Sequence, residues 1–231
     1  MNSRHFLTYK GTFVTEEESK ELAAQLRKPT GEAGHTVAGF MNKGNVLLNR
    51  NTIDLIKPRA SMHIVEVGMG NGKFVEELFQ KFPDCRYSGC DYSQDMVNES
   101  QSLNMDSVNK VVCDFHYCDT TQLPFLNNSV DVIFTVNTIY FWPDVDLVLQ
   151  EYIRVLKPNG QLLIGLRPEH LMKHYPFIQY GFNLFSETII ESHLLEQGFG
   201  QIKSHTIREP DFVTEEFTMP VESLVVTAHK K

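Results

Sequence analysis

A chain of 231 residues can bury one sizeable core but is short for two, and 42% hydrophobic with 22% charged residues is ordinary for a globular protein. Against 29 Asp and Glu stand only 21 Lys and Arg, a formal charge of −8 with no basic tail or stripe, which argues against a nucleic-acid partner and for a small-molecule substrate. No run of about 18 apolar residues could span a bilayer, and the opening MNSRHFLTYKGTF has neither the apolar core of a secretory signal nor the bias of a transit peptide, so the expected location is the cytoplasm.

Along the chain, the first ~60 residues read as a helical preamble to a core that follows. The segment TEEESKELAAQLRK opens on capping-box spacing, Thr15 with Glu18, and is stopped by Pro29. The glycines of TGEAGHTVAGFMNKGN then predict turns before an amphipathic helix that ends near Pro58. From Met62 short apolar strands alternate with helices. MHIVEVG, CRYSGCD, KVVCDF, SVDVIFTVN and GQLLIGL are the strands; helices are expected over 72–82, from Ser93 into the 100s, and in DVDLVLQEYIRVL, with Pro158, Asn159 and Gly160 as a turn. Such alternation predicts a parallel sheet. A last helix, SETIIESHLLEQG, is closed by Gly198. QIKSHTIRE and ESLVVTAH follow, joined too briefly for a parallel crossover, so they should pair antiparallel at one edge. The expectation is a doubly wound α/β fold of seven strands, Rossmann-like and mostly parallel with an antiparallel final strand, in one domain: a helical cap over 1–60 and a core over 61–231.

Cys85, Cys90, Cys113 and Cys118 form no C-x-x-C pair and fall in or near strands, where free thiols behave as small core hydrophobes; neither a metal nor a disulfide framework is expected. In VEVGMGNGKF, Gly68, Gly70 and Gly72 follow a strand and lead into a helix, the place where doubly wound folds let a nucleotide-like ligand approach bare backbone. The dinucleotide fingerprint G-x-G-x-x-G is broken by Lys73, which disfavours a pyrophosphate. Asp91 ends the second strand, where a carboxylate can accept from two ribose hydroxyls. Asp119, after the third strand, is either within reach of an adenine amino group or a turn and cap residue.

Taken in order, VEVGMGNG, Asp91, DTTQLPF, SVDVIF and RVLKPNG resemble the motif series of class I S-adenosylmethionine-dependent methyltransferases of the ubiquinone-biosynthesis-like group, over about residues 60–170. KPTGEAGHTVAGFMNKGN and VNTIYFWPD are similar to bacterial methyltransferases whose substrates are unassigned. The resemblance implies S-adenosylmethionine as cofactor and S-adenosylhomocysteine as product. It places Gly68, Gly70 and Gly72 against the methionine and ribose portion, Asp91 on the ribose hydroxyls, Tyr92 and Met96 beside the adenine, and Asp119, with Thr120 in the same set, at its exocyclic amine. Glu66 either joins the polar network at the cofactor's amino-acid end or only orients the glycine loop. Asn137 and Thr138 would line the channel where donor and acceptor meet.

A methyl sulfonium is already activated, so alignment and exclusion of water can carry much of the catalysis, with a base needed only where the acceptor must be deprotonated. His170, His174 and Tyr140, near the carboxyl ends of strands, are the base or positioning candidates. The His170 and His174 pair lacks the glutamate of H-E-x-x-H, Leu171 standing there, so no metal is assigned. Tyr140, Phe141 and Trp142 either face the sulfonium through cation–π attraction or pack the sheet edge, with packing expected for at least two of them. Asn137-Thr138-Ile139-Tyr140 lacks the Pro-Pro element of enzymes that methylate DNA base amines. The reading is methyl transfer to a small molecule, with the N-terminal helices and residues 167–185 closing over the site. A nicotinamide oxidoreductase is opposed by Lys73 and the antiparallel last strand, while a non-catalytic cofactor-binding or partner-supporting protein stays open.

Overall fold

The computed structural model describes residues 6–7, 13–110, 112–213 and 218–231. Seven strands form one sheet: β1 (His63–Val67), β2 (Arg86–Asp91), β3 (Cys113–Tyr117), β4 (Val130–Val136), β5 (Leu156–Leu166), β6 (Phe199–Val213) and β7 (Thr218–Lys230). Their spatial order is 3-2-1-4-5-7-6, with β1 to β5 parallel and β7 antiparallel to both of its neighbours. β7 therefore sits inside the sheet and β6 takes the edge. The strand order reverses between β1 and β4, and the carboxyl ends diverge there to open a crevice.

Alternation along β1 shows why the strands read as near-continuous apolar runs. Val65 and Val67 join the hydrophobic layer on one face and Ile64 the layer on the other, all fully or nearly fully buried. Helix α7 (Val145–Val155) covers the first face with Val148, Leu149 and Tyr152, and α9 (Glu187–Glu196) adds Ile190 and Leu194. The second face is covered by α4 (Val75–Lys81) and by Val97 of α5 (Gln94–Leu103), with the short α6 (Met105–Asn109) following.

The amino-terminal region departs from expectation in three ways. Its start is not helical where described, since Phe6–Leu7 pairs antiparallel with Phe13–Val14. The capping box does form: the Thr15 hydroxyl accepts from the Glu18 amide at 3.2 Å and the Thr15 amide donates to the Glu18 carboxylate at 2.7 Å, opening α1 (Glu16–Arg27). The glycines expected to make turns lie instead within α2 (Gly31–Gly44). Gly34 is there for close packing, because a Cβ would stand 2.7 Å from the Pro29 carbonyl carbon. The chain breaks only at Asn45, before α3 (Val46–Asp54). Nor is α3 preamble: Leu48 and Ile53 belong to the second-face core, and a Cβ on Gly165 would meet the Thr52 hydroxyl at 2.4 Å, so the helix lies directly on β5.

Pro158, Asn159 and Gly160 lie inside β5 rather than ahead of it. Asn159 holds the expected left-handed turn geometry (φ 61°), and the excess residues are absorbed as an irregularity where the pairing with β4 shifts between Val130 and Val132. Cys85, Cys90 and Cys113 are buried, and burial pushes the Cys85 thiol up to about 11.

Candidate active site

A cavity of about 610 Å³ lies at the carboxyl ends of β1, β2 and β4. Of the cofactor candidates, Glu66, Gly68, Gly70, Asp91, Tyr92, Asp119, Thr120, Asn137 and Thr138 all line it, whereas Gly72 and Met96 do not. A Cβ on Gly72 would press on Asn104 at 2.9 Å and Ser100 at 3.0 Å, so this third glycine lets the loop pack on α5. Met96 is fully buried beneath the same helix's start.

The glycine loop has the shape the sequence asks for. Gly68 has φ 77°, and a Cβ there would fall 2.2 Å from the Thr138 methyl. Gly70 has φ 58° with nothing within 4 Å of a Cβ, which leaves its face of the cavity open to a ligand. Its amide donates to Asp91 Oδ2 at 2.9 Å, while Asp91 Oδ1 accepts from the Ser93 amide at 2.8 Å. Each carboxylate oxygen retains a second lone pair for a ligand hydroxyl. Burial raises Asp91 to about 6 despite these donors. Glu66 is 4% exposed and burial lifts its carboxyl to about 7; the Tyr87 phenol donates to Oε2 at 2.6 Å, and Oε1 accepts no hydrogen bond from a described residue. A buried acid with one oxygen unspent, lining a cavity, marks a polar ligand group.

At the far end, Tyr92 is half exposed, stacks on Tyr117 with ring centroids 6.0 Å apart, and has the Lys28 ammonium 4.1 Å from its ring centroid. Asp119 is both things the sequence left open, for it lines the cavity and closes an Asx turn, accepting from the Thr121 amide at 2.8 Å and hydroxyl at 2.7 Å.

Beyond β4, Asn137 adopts φ 57° and its amide reaches the Gly165 carbonyl at 2.8 Å. This left-handed turn, tolerated by Asn, swings its side chain into the cavity wall, where Nδ2 donates to Asn45 Oδ1 at 3.0 Å. The Trp142 indole donates to the Thr138 hydroxyl at 3.2 Å.

The catalytic candidates fare differently. His170 is 60% exposed and faces Glu222 at 3.4 Å, and His174 is exposed in the turn after α8 (Glu169–Met172); neither lines the cavity. Tyr140 is buried, its phenol accepts from the Arg167 amide at 2.8 Å, and it points its proton at the Arg167 carbonyl (3.1 Å) and Asn137 Oδ1 (3.3 Å). Burial raises its pKa far above the ordinary phenol value. In this geometry the phenol braces Asn137 and its proton is shared with the Arg167 carbonyl.

Sequence reasoning expected the N-terminal helices over the site but named none of their lining residues. Arg27, Asn42 and Asn45 line it from α1, α2 and the break after α2. The wall is tied down by Asn42 Nδ2 donating to Asn71 Oδ1 (3.1 Å), Asn71 Nδ2 donating to Glu99 (2.9 Å) and the Gly31 amide donating to Asp95 (2.8 Å). The Gly-Asn step of NKGN was a readable helix stop that pointed to Asn45.

The family profile described as "Methyltransferase domain" matches residues 65–164, the stretch that holds Glu66, the glycine loop, Asp91, Asp119 and Asn137. The match places a methyltransferase-domain sequence pattern on these residues. The chain is 30% identical over 122 residues to the fatty-acid O-methyltransferase of Mycolicibacterium smegmatis, covering 50% of this chain and 43% of that protein. Likewise it is 26% identical over 120 residues to the ubiquinone/menaquinone biosynthesis C-methyltransferase UbiE of Desulfotalea psychrophila, covering 52% and 47%. The chain thus spans less than half the length of these two curated relatives. Among solved structures, a chain of the complex between the Haloferax volcanii Trm112 methyltransferase activator and a methyltransferase superposes with a TM-score of 0.74 at 17% identity, over 92% of this chain and 97% of that one. That likeness establishes the Rossmann-like fold. The cofactor of a methyltransferase domain of this class is S-adenosylmethionine, and the open Gly70 face, the unspent Glu66 oxygen and the free lone pairs of Asp91 fit its bare, polar and ribose-bearing parts.

Proposed function

We propose that the protein transfers the methyl group of S-adenosylmethionine to a small-molecule acceptor by in-line displacement. The observation that carries this is the convergence of Asp91, the unspent oxygen of Glu66 and the open face of Gly70 on one cavity within a methyltransferase domain. When bound, the cofactor supplies a methyl group already activated on a sulfonium. The residues of the chain bind and orient. Asp91 would accept from the ribose hydroxyls, Tyr92 would lie beside the adenine with Asp119 and Thr120 near its amine, and Glu66 would sit at the amino-acid end. Gly68, Asn137 and Thr138 would border the reacting methyl. The helices α1 and α2 and residues 167–185 would close the cavity from above and keep water out, within one domain whose core includes α3.

Within this proposal the source is bacterial, as for the two curated relatives named above, and the setting is the cytoplasm, where free and mostly buried thiols suit the reducing conditions. The test is calorimetric titration with S-adenosylmethionine, S-adenosylhomocysteine and NADH, repeated on Asp91→Ala. The first two should bind and NADH should not. The variant should lose charge-assisted hydrogen bonds to ligand hydroxyls, about 1.5–3 kcal/mol or some tenfold to hundredfold in affinity. Binding of NADH alone would overturn the reading; cofactor binding without transfer to any acceptor would favour a non-catalytic role.

A further inference from the structure

A second cavity, of about 400 Å³, adjoins the first and shares Asn45 and Asn137 with it. Its character is different. The walls are apolar, with Leu22 from α1, Val37 and Met41 from α2, Phe177 and Phe182 from the segment after α8, and Val221 from β7. Ring faces continue through this wall, Phe141 and Phe182 meeting at 4.6 Å and Phe177 and Phe182 at 5.3 Å.

Its polar lining is sparse and mostly committed. Arg167 is 12% exposed and pairs with Glu209 at 5%, and two further donors go to the Glu222 carbonyl and the Gly44 carbonyl, each at 3.0 Å. That charge is neutralised in place. The Tyr140 phenol is spent on Arg167 and Asn137, and Tyr175 stacks on Phe177 at 5.2 Å. Asn45 Oδ1 is occupied by Asn137, while Asn45 Nδ2 donates to no described residue and lies on the wall common to both cavities. No described carboxylate or imidazole lines the cavity, so nothing there can take a proton from an acceptor near neutral pH.

We propose that this cavity is the methyl-acceptor site and that the acceptor is an apolar weak acid, a phenol or carboxylic acid, which arrives already ionised. The proposal rests on the methyltransferase reading above. The apolar body fills the ring-lined cavity, and the anionic oxygen sits at the shared wall, where the Asn45 amide and the cofactor's positive sulfur both favour it in a weakly screened interior. The oxygen's lone pair forms the new bond to the methyl carbon as the carbon–sulfur bond breaks, the electron pair staying on sulfur. The acceptor has already lost its proton to solvent, so none passes through the protein, and anion and cation leave as neutral ether or ester and neutral thioether.

The experiment uses the full chain, 2-naphthols with ring substituents that grade their acidity, and phosphoethanolamine as a polar comparison. Naphthol fluorescence in the presence of S-adenosylhomocysteine reports binding, and labelled S-adenosylmethionine reports transfer. Naphthols should bind and be methylated, phosphoethanolamine should not, and the inflection in log kcat/KM against pH should move with the acidity of the naphthol. Inflections from Glu66 and Asp91 on the cofactor side would stay fixed across the series. Val37→Glu places a charge against the acceptor anion and should weaken naphthol binding by at least about tenfold while leaving S-adenosylhomocysteine binding within about twofold. Val221→Glu repeats the test from β7. An inflection that ignores naphthol acidity, preferential methylation of phosphoethanolamine, or folded variants that bind naphthol normally would each overturn the proposal. S-adenosylhomocysteine binding without naphthol binding would sink it alone; loss of cofactor binding in the unaltered protein would sink the methyltransferase reading beneath it.

Discussion

Glu66→Gln separates what the buried acid does for the fold from what it does for the ligand. Glu66 titrates at about 7 rather than 4.5 because burial disfavours the carboxylate. An acid that holds its proton more tightly in the folded chain stabilises the fold fully below 4.5, and that stabilisation is lost as the pH rises through 7. At about 1.4 kcal/mol per pH unit, the whole shift corresponds to about 3 kcal/mol. Gln keeps an oxygen for the Tyr87 phenol and carries no charge, so it does not incur this loss. Relative to the unaltered protein, the variant should gain about 2–3 kcal/mol of stability between pH 5 and pH 8, measured by urea unfolding at intervals across that range. Asp91, raised to about 6 by burial, contributes the same sign of pH dependence to both proteins, and its charge adds to the rise at Glu66. The ligand shows the converse. A cofactor ammonium near Glu66 draws it to the charged form, so affinity in the unaltered protein should rise with pH through 7 and that of the variant should not. A stability difference that is constant from pH 5 to pH 8 would refute the account of Glu66 as a buried, proton-holding acid.

Two further substitutions probe the frame around the site. Gly68→Ala combines a left-handed φ of 77° with a Cβ 2.2 Å from the Thr138 methyl, so it should lower stability by at least about 1–2 kcal/mol from backbone strain alone; adding Thr138→Ser removes the methyl and should return only the part due to contact, read in the same urea titration. Glu209→Leu leaves the Arg167 guanidinium buried without its partner and should cost about 3–5 kcal/mol, while the double variant with Arg167→Met should regain most of it, which thermal unfolding of the three proteins checks.

Local rules set the shape of the glycine loop and the end of β2. The run VEVGMGNG needs positive φ at Gly68 and Gly70 whatever surrounds it, and Asp91 must end β2 because the strand pattern stops there. The capping box at Thr15 and the left-handed turn at Asn159 are likewise local, and both are present. Misreadings came where a neighbour distant in sequence decided. Gly34 looked like a turn residue, and only the approach of Pro29 shows that its missing side chain serves helix packing. Gly72 looked like part of the ligand cradle, but Asn104 and Ser100 of the region after β2 occupy that side. His170 and His174 follow β5 in sequence, yet the short α8 turns them toward Glu222 and solvent.

What the sequence determined by itself is the alternation of seven strands with helices, the antiparallel last strand and the glycine loop with its two acids, because hydrophobic period, turn chemistry and backbone sterics act within a few residues. Tertiary structure alone decided the acceptor side: Asn45 meets Asn137 across 92 positions, Arg167 finds Glu209 and the Gly44 carbonyl, and rings from separate segments close on one apolar cavity. Those contacts exist only once α3 is seated on β5 and β7 is inserted beside it, since side chains far apart in the chain are brought together by the burial of the elements that carry them.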